Sequence, residues 1–123
     1  MRIRHRLATA VTTAVLAAGL TALPAHADTN AAAVTCSGWG SYLNATDWDE
    51  VKSDRRAYIR SGPYGQCDTV LTLNPGYTVD ISCYVVNDYG NTWTYAIFHT
   101  GGPIYHGWVY DDSLRYGGSS QRC

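Results

Sequence analysis

Hydrophobic and polar residues alternate along residues 77–86, and this alternation predicts a β-strand with one buried face. The hydrophobic positions are Tyr77, Val79, Ile81, Cys83 and Val85. Segments rich in β-branched and aromatic residues predict four further strands, at residues 57–60, 69–73, 92–98 and 104–110. Residues 48–56 are the nearest candidate for a helix, but they lack a sustained 3.6-residue period. Five short strands at regular spacing with tight turns therefore predict a small all-β barrel.

The first 27 residues have the composition of a secretory signal peptide, which we predict to be cleaved after Ala27. Residues 1–6 carry three arginines, and residues 7–23 form an apolar run of 17 residues, which is short for a membrane span. Ala25 and Ala27 supply the small side chains that a signal peptidase reads. Cleavage leaves 96 of the 123 residues, with six basic and ten acidic side chains and a net charge of about −4.

The charge and length of the mature chain exclude several classes of protein. Six basic residues are too few for a nucleic-acid-binding surface, which sets several Lys or Arg side chains against phosphates. No second long apolar run follows the signal peptide, so we expect no membrane association after cleavage. The mature chain has the length of one domain. We therefore expect a small secreted, extracellular protein that is monomeric and either free or associated with the cell wall.

All four cysteines lie in the mature chain, and an even number in a small exported domain indicates two disulfide bonds. The alternative, a zinc site, would lack any Cys-x-x-Cys spacing. A hairpin centred on Pro75, within the turn sequence Asn-Pro-Gly, would place Cys67 opposite Cys83. In a non-hydrogen-bonded antiparallel pair the Cα atoms lie about 4.5 Å apart, within the range of about 4.4–6.8 Å that a disulfide requires. We therefore predict the bonds Cys67–Cys83 and Cys36–Cys123.

Five segments of the chain together resemble the bacterial SH3 domain. They are Tyr-Ile-Arg-Ser-Gly-Pro at 58–63, Val-Leu-Thr-Leu-Asn-Pro-Gly at 70–76, Val-Asp-Ile at 79–81, Thr-Trp-Thr-Tyr at 92–95 and Gly-Trp-Val at 107–109. The resemblance is closest to small secreted members with a cysteine on either side of the hairpin. It implies a five-stranded SH3-like barrel at residues 57–116, after an N-terminal extension at 28–56 and before a tail at 117–123 that Cys123 ties down. It also implies a non-catalytic protein that binds a cell-envelope peptide, peptidoglycan or another protein.

The resemblance further indicates which aromatic residues would contact the ligand. Trp93 matches the tryptophan of the third strand by position, and Tyr58 and Tyr64 flank the first long loop. Tyr110 and Ser113 stand where SH3 domains generally have Pro and Tyr around the final helical turn, predicted here at 111–114. This departure argues against polyproline binding of the eukaryotic kind. The candidate ligand-binding residues are Tyr58, Tyr64, Trp93 and Tyr110.

The mature chain is rich in aromatic residues, with ten Tyr, four Trp and one Phe. We expect Tyr77, Tyr95 and Trp108 in the core because they fall among aliphatic neighbours on predicted strands. A domain of this size cannot bury fifteen large rings, and exposed Tyr and Trp suit peptide and glycan binding. The alternative is that Tyr replaces aliphatic residues in a small β-protein.

No catalytic or metal site is predicted, and we expect neither enzyme activity nor a cofactor. His99 and His106 have no nucleophile beside them in a recognisable motif, although a triad assembled in space stays an alternative. Disulfide bonding would leave no thiol nucleophile. The acidic cluster Asp-Trp-Asp-Glu at 47–50 lacks the glycine and spacing of a calcium loop. An alternative function is a secreted inhibitor or antimicrobial effector that acts on another extracellular protein through an exposed loop at 100–106.

Overall fold

A computed structural model describes residues 33–123, so the predicted signal peptide at residues 1–27 lies outside the described residues. Residues 33–123 contain one antiparallel sheet of six strands, and a single 3₁₀ turn at Asp111–Ser113 follows the last strand. The strands are β1 (Asp47–Glu50), β2 (Ala57–Arg60), β3 (Thr69–Leu73), β4 (Thr78–Val86), β5 (Thr92–His99) and β6 (Ile104–Tyr110). Their order across the sheet is β1-β4-β5-β6-β2-β3, which confirms the predicted all-β class.

Five of the six strands coincide with segments predicted from the hydrophobic pattern. The bounds of β2, β3 and β6 are those predicted, and β4 and β5 each differ by one residue at one end. Strand β1 was not predicted, and it overlaps the helix candidate at 48–56. It pairs with β4 from Asp47 opposite Ile81 to Glu50 opposite Thr78. A distant partner therefore stabilises a strand that its own sequence does not indicate.

The turn at residues 74–76 is confirmed, but the hairpin built on it is wrong. Gly76 has a φ of +79°, and the N–H of Tyr77 donates to the carbonyl of Asn74 at 3.2 Å. The two strands that leave this turn nevertheless diverge, because β3 pairs with β2 whereas β4 pairs with β1 and β5. The turn therefore connects strands that do not pair with each other.

The number of disulfide bonds is confirmed, and both predicted pairings are wrong. Cys36 bonds to Cys67 and Cys83 bonds to Cys123, with Cα atoms 5.4 and 4.9 Å apart. Because β3 and β4 do not pair, Cys67 is not held opposite Cys83. Cys67 instead meets the N-terminal segment from the loop between β2 and β3. Cys83 lies on β4, where the neighbouring Tyr84 forms a bridge with Arg122 and brings Cys123 within reach.

The core contains an aliphatic and an aromatic cluster. The buried aliphatic residues are Val51, Ala57, Ile59, Leu73, Val79, Ile81, Ala96, Val109 and Leu114. The aromatic cluster contains Trp93, Tyr95 and Trp108, with Trp39 and Tyr42 packed against it. Tyr95 and Trp108 are thus buried as predicted, whereas the prediction for Tyr77 is wrong. Tyr77 stands between the turn and β4, is 41% exposed and stacks on Phe98 with the ring centroids 5.5 Å apart.

Candidate ligand-binding groove

An open groove of about 620 Å³ lies between β2, the loop that follows β2, the β4–β5 turn and the end of β6. Three of the four predicted ligand-binding residues line it, namely Tyr58, Trp93 and Tyr110. The other lining residues are Arg60, Gly65, Gln66, Asn87, Tyr89, Asn91 and Ser113. The groove is therefore an aromatic surface with amide and hydroxyl groups around it.

Strand register and strand alternation bring the three aromatic residues to this groove. On β2, Tyr58 is exposed between the buried Ala57 and Ile59, so its ring lies on the face away from the core. Trp93 on β5 is directly opposite Tyr110 on β6. The Trp93 and Tyr110 ring centroids are 5.3 Å apart, with 39° between the planes. Two rings from different strands thus form a continuous aromatic wall.

The indole N–H of Trp93 lacks an acceptor. Among residues 33–123 its Nε1 atom is buried and has no hydrogen-bond partner. Buried Trp N–H groups ordinarily find an acceptor, and an unpaired buried donor costs about 1–3 kcal/mol. Trp93 is itself only 5% exposed, so this unpaired donor lies beneath the groove surface rather than on it.

Arg60 is the only charged residue among the ten that line the groove within the described part of the chain. Its guanidinium lies 5.0 Å from the centroid of the Tyr58 ring, in a cation–π contact. Its Nη1 donates to the carbonyl of Cys67 and to Oγ1 of Thr69, both at 3.1 Å. These contacts fix both the cation and the neighbouring ring. Since no Asp or Glu is among the lining residues of the described chain, the groove presents one positive charge.

Asn87 shapes the rim of the groove at the β4–β5 turn. Its buried amide Nδ2 donates to the carbonyl of Pro63 at 2.7 Å. Its Oδ1 accepts the N–H groups of Tyr89 and Asn91, each at 3.1 Å. The turn is thereby held against the loop after β2, and the side chains of Tyr89 and Asn91 are presented to the groove.

Tyr64 lies beneath the groove rather than in its lining. It is almost fully buried, and its ring packs edge-on against Tyr89 with the centroids 5.9 Å apart. Its hydroxyl accepts the N–H of Asp88 at 3.4 Å, and burial raises the pKa of the Tyr64 hydroxyl. Tyr64 therefore supports Tyr89, a groove residue that the sequence analysis missed. The segment 87–91 was interpreted only as a turn, and the tyrosine within that turn was the available signal.

The two histidines have structural partners. His106 Nδ1 is 2.6 Å from the hydroxyl of the buried Tyr95, which is in turn 3.1 Å from Oγ of Ser41. His99 Nε2 is 3.1 Å from Oδ2 of Asp80, and both of these side chains are exposed. His106 is therefore hydrogen-bonded to a core residue, and His99 lies beside a carboxylate on the neighbouring strand.

The acidic segment 47–50 lies on β1, where successive side chains point to opposite faces. Asp49 is fully buried, and its carboxylate accepts the backbone N–H groups of Glu50, Tyr116 and Gly118. In the described residues, no group of three or more His, Cys, Asp or Glu side chains is arranged to hold a metal ion. The carboxylate of Asp49 therefore acts as an acceptor that holds residues 116–118.

Comparison with known proteins returned no match to a protein-family model, to a curated protein or to a solved structure. The two disulfide bonds fit an extracellular protein. Within residues 33–123, no helix has the length and apolar character needed to cross a membrane.

Proposed function

We propose that the protein is a secreted, non-enzymatic SH3-like binding protein whose groove takes a peptide of the cell envelope or of another protein. The proposal rests on one observation, the clustering of Tyr58, Trp93 and Tyr110 in a single open groove. The rings of Tyr58 and Tyr110 are exposed there, and exposed rings with fixed positions are the usual anchors of peptide recognition. The sequence resemblance to bacterial SH3 domains supports the same function.

The polar groups of the groove favour a peptide as the ligand. A peptide offers carbonyl oxygens to the amides of Asn91 and Gln66, and it offers apolar side chains to the exposed rings of Tyr58 and Tyr110. Arg60 adds one fixed positive charge without a carboxylate beside it in the groove. We therefore expect a preference for peptides that carry a carboxylate, either as an acidic side chain or as a free C-terminus.

Retention on purified envelope material tests this function. Protein-free cell wall of the producing organism and a fraction of soluble envelope peptides would each be incubated with the wild-type protein and with variants. Tyr58→Ala and Tyr110→Ala remove exposed rings from the groove, and we expect each to weaken binding about tenfold. Tyr77→Ala is the matched control, because Tyr77 is as exposed as Tyr58 (41% against 40%) but lies outside the groove.

Two results would contradict the proposal. One is failure of the wild-type protein to bind either envelope material or any envelope protein. The other is binding that Tyr58→Ala and Tyr110→Ala leave unchanged while far-UV circular dichroism shows both variants folded. Weaker binding by the groove variants, with the Tyr77→Ala control unaffected, would support the proposal.

One observation favours the alternative function, a secreted inhibitor. The loop between β5 and β6 is pre-organised, because Thr100 Oγ1 donates to the carbonyl of Pro103 at 2.7 Å and accepts the N–H of Gly102 at 3.3 Å. Beside it, Ile104 is 55% exposed. A rigid loop with an exposed apolar residue suits insertion into an enzyme cleft. Inhibition of a co-secreted hydrolase that Ile104→Asp abolishes would establish this function.

A further inference from the structure

A second aromatic site lies on β1 and on the segment after the 3₁₀ turn. Trp48 and Tyr116 are among the most exposed large rings of the described residues, at 52% and 60%. Their centroids are 5.8 Å apart and their planes meet at 88°. They border a cavity of about 330 Å³, together with Asp47, Asp49 and Gly118. None of these five residues lines the groove.

The position of Tyr116 is fixed by its backbone. The buried carboxylate of Asp49 accepts the N–H groups of Tyr116 and Gly118, at 3.0 and 2.8 Å. The N–H of Arg115 donates to the carbonyl of Glu50 at 2.8 Å, and the Arg115 guanidinium bonds to the Glu50 carboxylate. These bonds join the segment to β1, and the two form a corner that consists of residues 47–49 and 116–118. A ligand would find this corner already ordered, which lowers the entropic cost of binding.

Trp48 is held on the other side of the corner by the sheet. It stands opposite Asp80 in the β1–β4 pair, and its N–H donates to Oδ1 of Asp47 at 2.8 Å. Within residues 33–123, Oδ2 of Asp47 has no hydrogen-bond partner. An exposed carboxylate thus lines the same cavity as the two rings.

The chemistry of this corner favours a cation. Aromatic faces carry negative electrostatic potential, so they attract ammonium and guanidinium groups. The guanidinium of Arg115 already lies 5.3 Å from the centroid of Tyr116, which shows that this ring accepts a cation in the folded protein. The carboxylate of Asp47 adds a negative charge to the lining of the cavity. A neutral hydroxyl could donate to this carboxylate, but only a cation would also gain from charge–charge attraction and from the ring faces.

We propose that Trp48, Tyr116 and Asp47 form a second binding site, specific for an alkylammonium group such as a lysine side chain or a free amino terminus. The ammonium group would lie against the Trp48 ring and beside Oδ2 of Asp47, and its methylene groups would contact Tyr116. This site shares no residue with the groove, so its test does not depend on the proposed function.

Butylammonium and butanol form a matched pair of probes, because they have the same length and differ in charge. The mature protein would be titrated with each probe while the indole N–H resonances of its tryptophans are followed by NMR, with that of Trp48 assigned through Trp48→Phe. We expect a saturable shift of the Trp48 resonance with butylammonium and none with butanol at the same concentration. Nα-acetyl-lysine methylamide and glycine amide would distinguish a lysine side chain from an amino terminus.

Variants of the corner test the role of each residue. We expect Trp48→Ala to abolish saturable binding of butylammonium and Asp47→Asn to weaken it about threefold. Tyr77→Ala, which lies in neither site, is expected to leave binding unchanged. The affinity for butylammonium should also fall as salt rises from 0.05 to 0.5 M, because salt screens the attraction between exposed charges.

Three results would overturn the proposal. Equal shifts with butanol would show a merely apolar surface. Shifts with methyl glucoside but not with butylammonium would show a carbohydrate site. The absence of any saturable shift of the Trp48 resonance with butylammonium, in a protein whose spectrum is that of the folded state, would show that the corner does not bind a cation.

Discussion

Asp111 makes the stability of this protein depend on pH. Its carboxylate is half-buried at the start of the 3₁₀ turn and accepts a hydrogen bond from Oγ1 of Thr94 at 2.6 Å. Burial, with a smaller effect of the nearby carboxylate of Asp49, raises the pKa of Asp111 from 3.8 to about 6 against the lowering effect of the Thr94 hydrogen bond. Because the folded protein holds this proton more tightly than the unfolded chain, the contribution to stability is greatest below pH 3.8. It is lost as the pH rises through about 6.

We predict that Asp111→Asn raises the free energy of unfolding at pH 7, by about 1 kcal/mol after allowance for solvent screening. The amide keeps an oxygen for the Thr94 hydroxyl and removes the charge. The gain over the wild-type protein should shrink as the pH falls from 7 to 4, as measured by urea unfolding at each pH. Asp68→Asn is the control, because Asp68 is exposed and only its backbone carbonyl bonds to Ser61. A gain that did not change with pH would contradict the assignment to Asp111.

Single residues also show how much of the candidate site could be predicted. Tyr58, Trp93 and Tyr110 were predicted from the resemblance to bacterial SH3 domains, they lie on strands that the local pattern located, and they do line one groove. Tyr64 was predicted beside them but lies buried. Its surroundings are Trp39 and Tyr89, each 25 residues away along the chain, and no local pattern of hydrophobic residues encodes such a contact.

At the level of elements, the strands could be predicted from sequence and their partners could not. Alternation and turn residues are local signals, and they located β2 to β6 within a residue. The Asn-Pro-Gly turn before β4 specifies a chain reversal but not which strand β4 will join. That choice depends on packing between segments far apart in sequence. Strand β1 was missed for the same reason, since its acidic sequence is stabilised by β4 and by the N–H groups that Asp49 accepts.

The loop between β2 and β3 packs directly on the N-terminal segment at Gly62. A Cβ atom at this position would lie 2.6 Å from Cα of Cys36 and 2.9 Å from Sγ of Cys67. Both of those atoms belong to the disulfide-bonded pair and cannot easily move. The close approach of the two segments, and with it the wall of the groove next to this loop, therefore requires glycine.

We predict that Gly62→Ala lowers the free energy of unfolding by about 2 kcal/mol, because overpacking of a rigid contact costs about 1–3 kcal/mol. Gly65→Ala is the matched control in the same loop, since a Cβ atom there would meet nothing within 4 Å. We expect Gly65→Ala to change stability by less than about 0.5 kcal/mol. Urea unfolding followed by tryptophan fluorescence measures both variants. Equal stabilities for the two would show that the loop is not packed on Cys36.

At the scale of the whole molecule, two disulfide bonds tie the segments that precede and follow the strands in sequence to the strand region. Cys36–Cys67 joins the segment before β1 to the loop after β2, and Cys83–Cys123 joins β4 to residues after the 3₁₀ turn. A domain of about 100 residues buries only a little over 60% of its unfolded surface. Cross-links therefore provide a substantial share of its stability. The separations of 31 and 40 residues correspond to about 4 kcal/mol each on the chain-entropy model.

We predict that replacing both cysteines of either bonded pair by alanine costs about 4 kcal/mol, as measured by urea unfolding. Thiol titration of the denatured variants then tests the pairing itself. Removal of Cys36 and Cys67 leaves Cys83 bonded to Cys123, so this variant should have no free thiol. Removal of Cys67 and Cys83 breaks both bonds and should expose two thiols. The opposite pattern of thiols would restore the pairing predicted from a β3–β4 hairpin, and with it a different strand order.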